Sequence, residues 1–328
     1  ILTGSVTDNT ASKSLAGEEN ERHTGTGRII RKVMRTMSSF ESHDSNGIVS
    51  ISNLKDNVFT PGISQKTIFD YSYLICRGGW PLAIDDDRDI ALQQAKTFFD
   101  GLVNEDLFSL KDIPLKKDVK RAMKLLKSYS RSISTEASNE SIKADLKENG
   151  DEIDKNTFVK YLLALERLYV IDELEAWNPN LRRKTAIRKK ATRHFVDPSI
   201  ATSALGITPE SMFSDMKTFG LLFESLAIRD LRIYSDSIGA EVYHYRDKAD
   251  READAVISFA DGSWALLEVK LGDKEEIETA SKKLVLLAKD INKKEHPEPA
   301  FLMIVTAQKV AYKDDNGVYV VPLCCLKP

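Results

Sequence analysis

Residues 252–271 read EADAVISFADGSWALLEVKL, two runs of alternating side chains joined through Asp261-Gly262. With a period of two, Ala253, Ala255, Ile257 and Phe259 share one face of a first strand, and Asp254, Val256 and Ser258 share the other. On a returning strand Ala265, Leu267, Val269 and Leu271 oppose Trp264, Leu266, Glu268 and Lys270. The first set on each strand is wholly apolar and is expected to be core, so the polar atoms fall on the opposite face. Register decides whether they meet. A two-residue turn at Asp261-Gly262 sets Asp254 against Val269 and scatters the acids. A three-residue loop, Ala260-Asp261-Gly262 with Gly262 left-handed, sets Asp254 against Glu268. The second is expected, because the first buries Asp254, Glu268 and Lys270 piecemeal.

The flanking chain fits around this pair. A helix over about 215–234 places Phe219, Leu222, Phe223 and Leu226 on one face, and Glu224, with Leu221, Ile228 and Leu231 as helical neighbours, is a candidate for partial burial. Downstream, 275–289 reads as an amphipathic helix, 300–306 as an apolar strand suited to a central position, and 315–317 as a turn into a strand over 318–321. Tyr245-Arg246 can bind a phosphate or pair with Asp250 or Glu252.

Two carboxylates about 4 Å apart repel by roughly 4 kcal/mol at an effective dielectric near 20. Lys270 offsets part of this. A divalent cation, Mg²⁺ or Mn²⁺, is the functional answer: Asp254 and Glu268 hold it with the Val269 carbonyl, and Glu224 supports a bound water or a second ion. Lys270 orients or helps deprotonate the attacking water. The alternative is a self-neutralising ion cluster.

Between residues 119 and 168 the pattern is helix (Val119, Met123, Leu126, Tyr129), short helix (Ile142, Leu146), then a longer helix with Phe158, Tyr161, Leu162, Leu165 and Leu168 inward. Its outward residues are expected to be Lys155, Asn156, Lys160, Ala164 and Arg167. A strand over 169–177 and a return over 192–196 complete the outline of a winged helix-turn-helix. The expected wing carries Arg182, Arg183, Lys184, Arg188, Lys189, Lys190 and Arg193, with no acid between Trp177 and Asp197. Such a cluster contacts DNA phosphates in a salt-dependent way. The bland reading is a spacer or dimerisation module with a solvated basic loop. With a formal net charge of −3, nucleic-acid binding has to come from a local patch of this kind.

The chain is 42% hydrophobic and 30% charged, a globular composition. It lacks an apolar run of membrane-spanning length or a signal-peptide layout, so no membrane association and a cytoplasmic location are expected. Cys76, Cys324 and Cys325 have no metal-ligand spacing, and an adjacent pair is a poor disulfide.

The opening ILTGS at 1–5 reads as a strand ending in a polar turn, followed by RHTGTGRI at 22–29, RTMSSFES at 35–42 and RGGWP at 77–81. In this order the segments resemble the second half of the AAA-type ATPase module of a family of prokaryotic predicted ATPases. In that family a C-terminal domain with a PD-(D/E)XK-nuclease-like fold follows, and Asp254 with Glu268-Val269-Lys270 matches its Asp, Glu-x-Lys pattern, with Glu224 as the acid of its first helix. The resemblance implies a multidomain α/β protein: an ATPase tail with lid helices over 1–115, a winged helix over 116–200, and a nuclease-like mixed sheet flanked by helices over 201–328. It implies nucleotide-sensing positions at Thr3 and Ser5, and at Arg28 or Arg35. No Gly-x-x-x-x-Gly-Lys-Ser/Thr string occurs, so the P-loop half is lacking and ATP, which belongs to the complete architecture, is not expected to bind tightly or be hydrolysed. Tyr169-Val170-Ile171-Asp172-Glu173 reads as an accidental Walker-B match. Without the P-loop half, residues 1–60 are expected to be poorly packed, and a missing ATPase half or an oligomer is the implied partner. The function expected is a metal-dependent DNA phosphodiesterase; the alternatives are a non-catalytic DNA-binding or assembly module, or a decayed fragment of an ATPase.

Overall fold

The computed structural model describes residues 33–110, 113, 115–178, 190–247, 249–292 and 297–328. Strand β1 (Val49–Ser50) leads into helix α1 (Ile51–Lys55), and β2 (Gly62–Ile63) precedes α2 (Ile68–Arg77). A capping box, with Thr67 and Asp70 exchanging backbone and side-chain bonds, starts α2. Helix α3 (Arg88–Gly101) runs through a π turn at Leu102–Asp106 into α4 (Leu107–Ser109). Then come α5 (Val119–Ser130), α6 (Asn139–Glu148), α7 (Lys155–Arg167) and α8 (Pro198–Leu205). Asp197 caps α8 with Pro198 in its first turn, and left-handed Gly206 ends it.

Helix α9 (Met216–Ser237) begins where Asp215 accepts bonds from the Lys217 and Thr218 amides. Strands β3 (Glu241–Arg246), β4 (Glu252–Ser258) and β5 (Trp264–Lys270), helix α10 (Lys274–Asn292), and strands β6 (Phe301–Thr306), β7 (Val310–Lys313), β8 (Tyr319–Pro322) and β9 (Leu326–Lys327) follow. The main sheet is seven-stranded and mixed, in the order β2-β7-β8-β6-β5-β4-β3. Its centre, β5-β6-β8, is parallel, and the outer pairings are antiparallel. The molecule is therefore α/β, a mixed sheet flanked by helices.

The β4–β5 hairpin takes the three-residue loop. Phe259 and Ser263 close it, Gly262 lies at φ +82°, and Ala255 faces Leu267. The apolar face carrying Ala255, Ile257, Leu267 and Val269 packs into the large core with α9. The opposite face was expected to be polar, but most of it is a second core. Val256, Trp264 and Leu266 are buried with Ile277, Leu284 and Leu287 of α10, and with Trp177. Only the Asp254–Glu268–Lys270 end stays polar, because the α10 face over it carries charged side chains. Strand β3 is absent from the sequence reading; its pairing with β4 shifts between Tyr243 and Tyr245, and such a bulge breaks the period-two signal.

Residues 33–60 correct the expectation of poor packing. β1 pairs with β9, and β2 forms one edge of the main sheet. Val49, Ile51 and Leu54 are buried, and so are Ser38, Ser39, Ser42 and Ser45. The Ser39 amide donates to Asp230 Oδ2, the Phe40 amide to the Tyr234 hydroxyl, and Ser45 Oγ to the Leu326 carbonyl. A serine-rich stretch reads as a loop in sequence, yet here each polar group is met inside the fold. The segment also grips the α2–α3 connection: the Met37 amide donates to the Gly79 carbonyl at 2.7 Å. A Cβ on Gly79 would lie 2.0 Å from the Met37 carbonyl oxygen. Gly79→Ala is therefore expected to lower the urea-unfolding free energy by roughly 1–3 kcal/mol; an unchanged midpoint would contradict this packing.

Helices α5, α6 and α7 stand in the expected order, and the segment after them returns antiparallel through Ile171–Phe195 and Leu174–Thr192 bridges. Ala164, expected to face outward, is buried; Val159 and Leu163 are exposed instead. Helix α8 packs against α2, α3 and α5, so the helices on either side of residue 115 share one core.

Candidate active site

Four side chains singled out from sequence line one cavity of about 940 Å³: Glu224 from α9, Asp254 from β4, and Glu268 and Lys270 from β5. The β4–β5 ladder ends at Ala255–Leu267. Continued by one residue, its register sets Asp254 against Glu268. There the strands part, and the Val269 amide donates to Asp254 Oδ2 at 2.7 Å. The carboxylate thus takes a donor that a continuing ladder would have given to backbone, and the cleft opens at that point. The Val269 carbonyl is expected at the site, but the Val269 group bonded to a site acid is its N–H.

Lys270 Nζ lies 3.0 Å from Glu268 Oε1 and 3.9 Å from Asp254 Oδ2. Lys283 of α10, absent from the sequence reading, approaches Glu268 Oε1 to 3.7 Å. Glu268 is 3% exposed, and its Oε2 is buried without a hydrogen-bond partner. Burial and the nearby charge of Asp254 push the Glu224 carboxyl well above the usual carboxylate range. Burial, then the charge of Glu268, lifts Asp254 to about 7 against the opposing pull of Lys270 and the Val269 amide. Burial works against the Lys270 ammonium, but Asp254 and Glu268 outweigh it and hold its pKa above the ordinary lysine value. Lys270 is accordingly a fixed cation at neutral pH, suited to steadying negative charge and not to accepting a proton.

The cavity as a whole is acidic. Glu136, Glu252, Asp273, Glu275 and Glu276 join Glu224, Asp254 and Glu268, against Arg246, Lys270 and Lys283. Arg246 lies 3.2 Å from Asp250 and 3.6 Å from Glu252, as one sequence reading anticipated, and 3.9 Å from Glu136. His244 is buried, with Nε2 2.9 Å from the Lys190 carbonyl and Nδ1 3.8 Å from Glu136. Among the described residues no three His, Cys, Asp or Glu side chains form a ready-made metal cluster.

The raised pKa of Asp254 sets a pH dependence. The folded state retains a proton that the unfolded chain releases near the ordinary aspartate value of about 3.9. Stability from this group is fully present below that value and is lost as pH rises through about 7. Asp254→Asn, which cannot ionise, is expected to be more stable than the wild type by roughly 2 kcal/mol at pH 8. The gap should close toward pH 4. Chemical denaturation at both pH values checks this, and a destabilised variant at pH 8 would contradict it.

The remaining predicted site residues lie elsewhere. Arg35 pairs with Asp172 at 2.8 Å, and Arg232 holds the same carboxylate at 2.8 Å. Its guanidinium is thus an inter-segment tie, and Asp172 of the Walker-B-like string is half of it. Arg193, expected to contact DNA phosphates from a basic wing, is turned inward to Glu173, the Asn139 side chain and the Ala137 carbonyl. Lys190 is exposed. Thr3, Ser5, Arg28, Arg182, Arg183, Lys184, Arg188 and Lys189 fall outside the described residues.

Sequence reading missed a second polar cluster. Arg229 Nη1 lies 2.9 Å from Asp197 Oδ2, and Arg229 Nη2 lies 2.7 Å from Asp230 Oδ1, with both carboxylates wholly buried. Asp197 also accepts from Thr36 Oγ1 and the Gly79 amide at 2.9 Å each. This knot ties residues 36–39, the α2–α3 connection and α8 to α9, five residues along the chain from Glu224. Its one sequence signal is Asp197-Pro198, a helix-start pair near the end of the stretch expected to be a winged helix.

Residues 68–211 match the model of a domain of unknown function, DUF8612, and residues 219–326 match a second domain of unknown function, DUF4143. DUF4143 is found as the C-terminal partner of AAA-ATPase-like proteins. The first match runs from α2 through α8 as one stretch and includes Glu136 of the acidic cleft, and the second runs from α9 to β9 and includes Glu224, Asp254, Glu268 and Lys270. No curated protein and no solved structure matches the chain. No helix among the described residues is long and apolar enough to cross a membrane.

Proposed function

We propose that the cleft between α9, β4, β5 and α10 is a divalent-cation-dependent phosphodiesterase site acting on DNA, of the PD-(D/E)XK type that the sequence resembles. The observation that carries this reading is the register of the β4–β5 hairpin, which, continued one residue past its last pair, sets Asp254 against Glu268, with Lys270 and Glu224 lining the same cavity. The donor set fits Mg²⁺ or Mn²⁺: all-oxygen ligands, two carboxylates, and a buried Glu268 Oε2 with no partner of its own. Two carboxylates are fewer than a protein cage needs, and Mg²⁺ ordinarily keeps waters and substrate oxygens in its remaining positions. A bound divalent ion would supply Lewis-acid polarisation of the phosphate and a more acidic water.

The chain's own part is positioning. The Val269 amide fixes Asp254, Lys270 fixes one oxygen of Glu268, and the Lys270 ammonium is placed to steady charge developing on the phosphate. Burial and the charge of Asp254 favour the protonated form of Glu224, and positive charge entering the cleft would favour its ionised form. Incubating supercoiled plasmid with the protein in Mg²⁺ or Mn²⁺, and in chelator, tests the reading: nicked or linear product in the metal samples supports it, and intact plasmid in all of them refutes it.

A second reading, a non-catalytic DNA-binding or assembly module of an ATPase, is favoured by one observation. Lys270 and Lys283 both approach Glu268 Oε1, which partly neutralises the cluster without any cation.

A further inference from the structure

On the opposite wall of the cleft, Glu276, Thr279, Ala280 and Lys283 of α10 all line the cavity. Their spacing of three, four and seven puts them on one helical face. Lys283 is the member with a positive charge. Its side chain is 40% exposed, its Nζ lies 3.7 Å from Glu268 Oε1, and the Glu268 side chain beneath it is only 4% exposed. Lys283 therefore stands between the buried acid and solvent.

The cations lining this cavity are unequally committed. Arg246 is engaged by three carboxylates. Lys270 has the shorter contact to Glu268 and a second one to Asp254. Lys283 makes the longer contact to Glu268 and is the more exposed of the two lysines, and a loose ion pair at such exposure adds little stability. An incoming phosphodiester meets an acid-lined cleft and needs a cation that can turn toward it at little cost. We infer that Lys283 is a phosphate-binding residue of this site, resting against Glu268 and turning from it to reach the backbone of bound DNA. This rests on the proposed phosphodiesterase reading and adds a substrate contact from α10, a helix outside the Asp, Glu-x-Lys pattern.

The test is binding of a fluorescein-labelled DNA duplex in Ca²⁺, followed by anisotropy across a salt series, for the wild type, Lys283→Met, Lys283→Arg and Lys282→Met. Lys282 is the exposed neighbour on α10 and does not line the cavity, so its replacement removes the same charge elsewhere. If Lys283 contacts a phosphate, Lys283→Met weakens binding and lowers the log–log salt slope by about 0.9. Lys283→Arg then keeps the slope, and Lys282→Met leaves it unchanged. Equal losses in Lys283→Met and Lys282→Met, or no loss in either, overturn the assignment of Lys283 while leaving the cleft reading in place. A wild type that shows no Ca²⁺-dependent DNA binding overturns both.

Discussion

Arg229→Met is expected to lower the unfolding free energy by about 3–5 kcal/mol at pH 7, because it removes the cation from a buried ion cluster. Asp197 and Asp230 are both wholly buried and share the one guanidinium. Burial alone would raise the pKa of Asp197, yet Arg229 and the amide and hydroxyl donors hold it below the usual carboxylate value. Burial wins at Asp230, whose pKa is raised despite the same arginine. Without Arg229 two carboxylates are left in apolar surroundings with only neutral donors, and methionine fills the volume without replacing the charge. The deficit should shrink in acid, where the stranded carboxylates take up protons. Urea titrations at pH 7 and pH 5 measure both effects, and a loss below about 1 kcal/mol at pH 7 would show that the cluster is far less costly to break than buried ion pairs generally are.

Asp254→Ala and Lys270→Ala are each expected to reduce DNA cleavage by about 10²–10³-fold, the usual cost of removing one preorganised charged or donor group from a reacting centre. The two losses should have opposite companions in stability. Asp254→Ala removes a carboxylate whose ionisation is opposed by burial and by Glu268, so the inactive protein should be no less stable than the wild type above pH 7. Lys270→Ala instead leaves Glu268 and Asp254 facing each other with less compensation, and should lose stability together with activity. A functional site that carries unrelieved charge typically trades stability for activity in this way. Single-turnover cleavage assays beside chemical denaturation of the same variants give both readouts; equal cleavage by wild type and variants would remove the catalytic role of these residues.

The parts of the fold that sequence reading reached are those with an unbroken period. β4 and β5 alternate cleanly, Gly262 marks the left-handed position of a three-residue loop, and α9 carries a continuous apolar face. Those features were enough to place Asp254 beside Glu268 and Glu224 near them. The second core beneath α10 was missed because Val256, Trp264 and Leu266 share a face with Asp254, Glu268 and Lys270, and alternation alone cannot say where along a strand that face passes from covered to open. β3 was hidden by its bulge. β1 and β2 are two residues each, too short for any period, so residues 33–60 looked unsupported when they brace β9 and one edge of the sheet. Arg193 reads as a DNA-phosphate contact and Arg35 as a nucleotide-sensing position because the acids that meet them, Glu173 and Asp172, are brought to them only by the fold. Lys283 and the Asp197–Arg229–Asp230 cluster are likewise products of long-range packing, in which a single charged residue carries no local mark.

The proposed function requires that the cleft take a divalent cation on Asp254 and Glu268. Titration calorimetry of Mn²⁺ into the cation-free protein at pH 8, alongside Asp254→Asn and Glu268→Gln, measures this without reference to any nucleic acid. Binding by the wild type is expected to be saturable, displaced by excess Mg²⁺, weakened as pH falls below about 7 where Asp254 takes up its proton, and lost or greatly reduced in both variants. No saturable heat from the wild type, or the same binding in all three proteins, would contradict the proposed function.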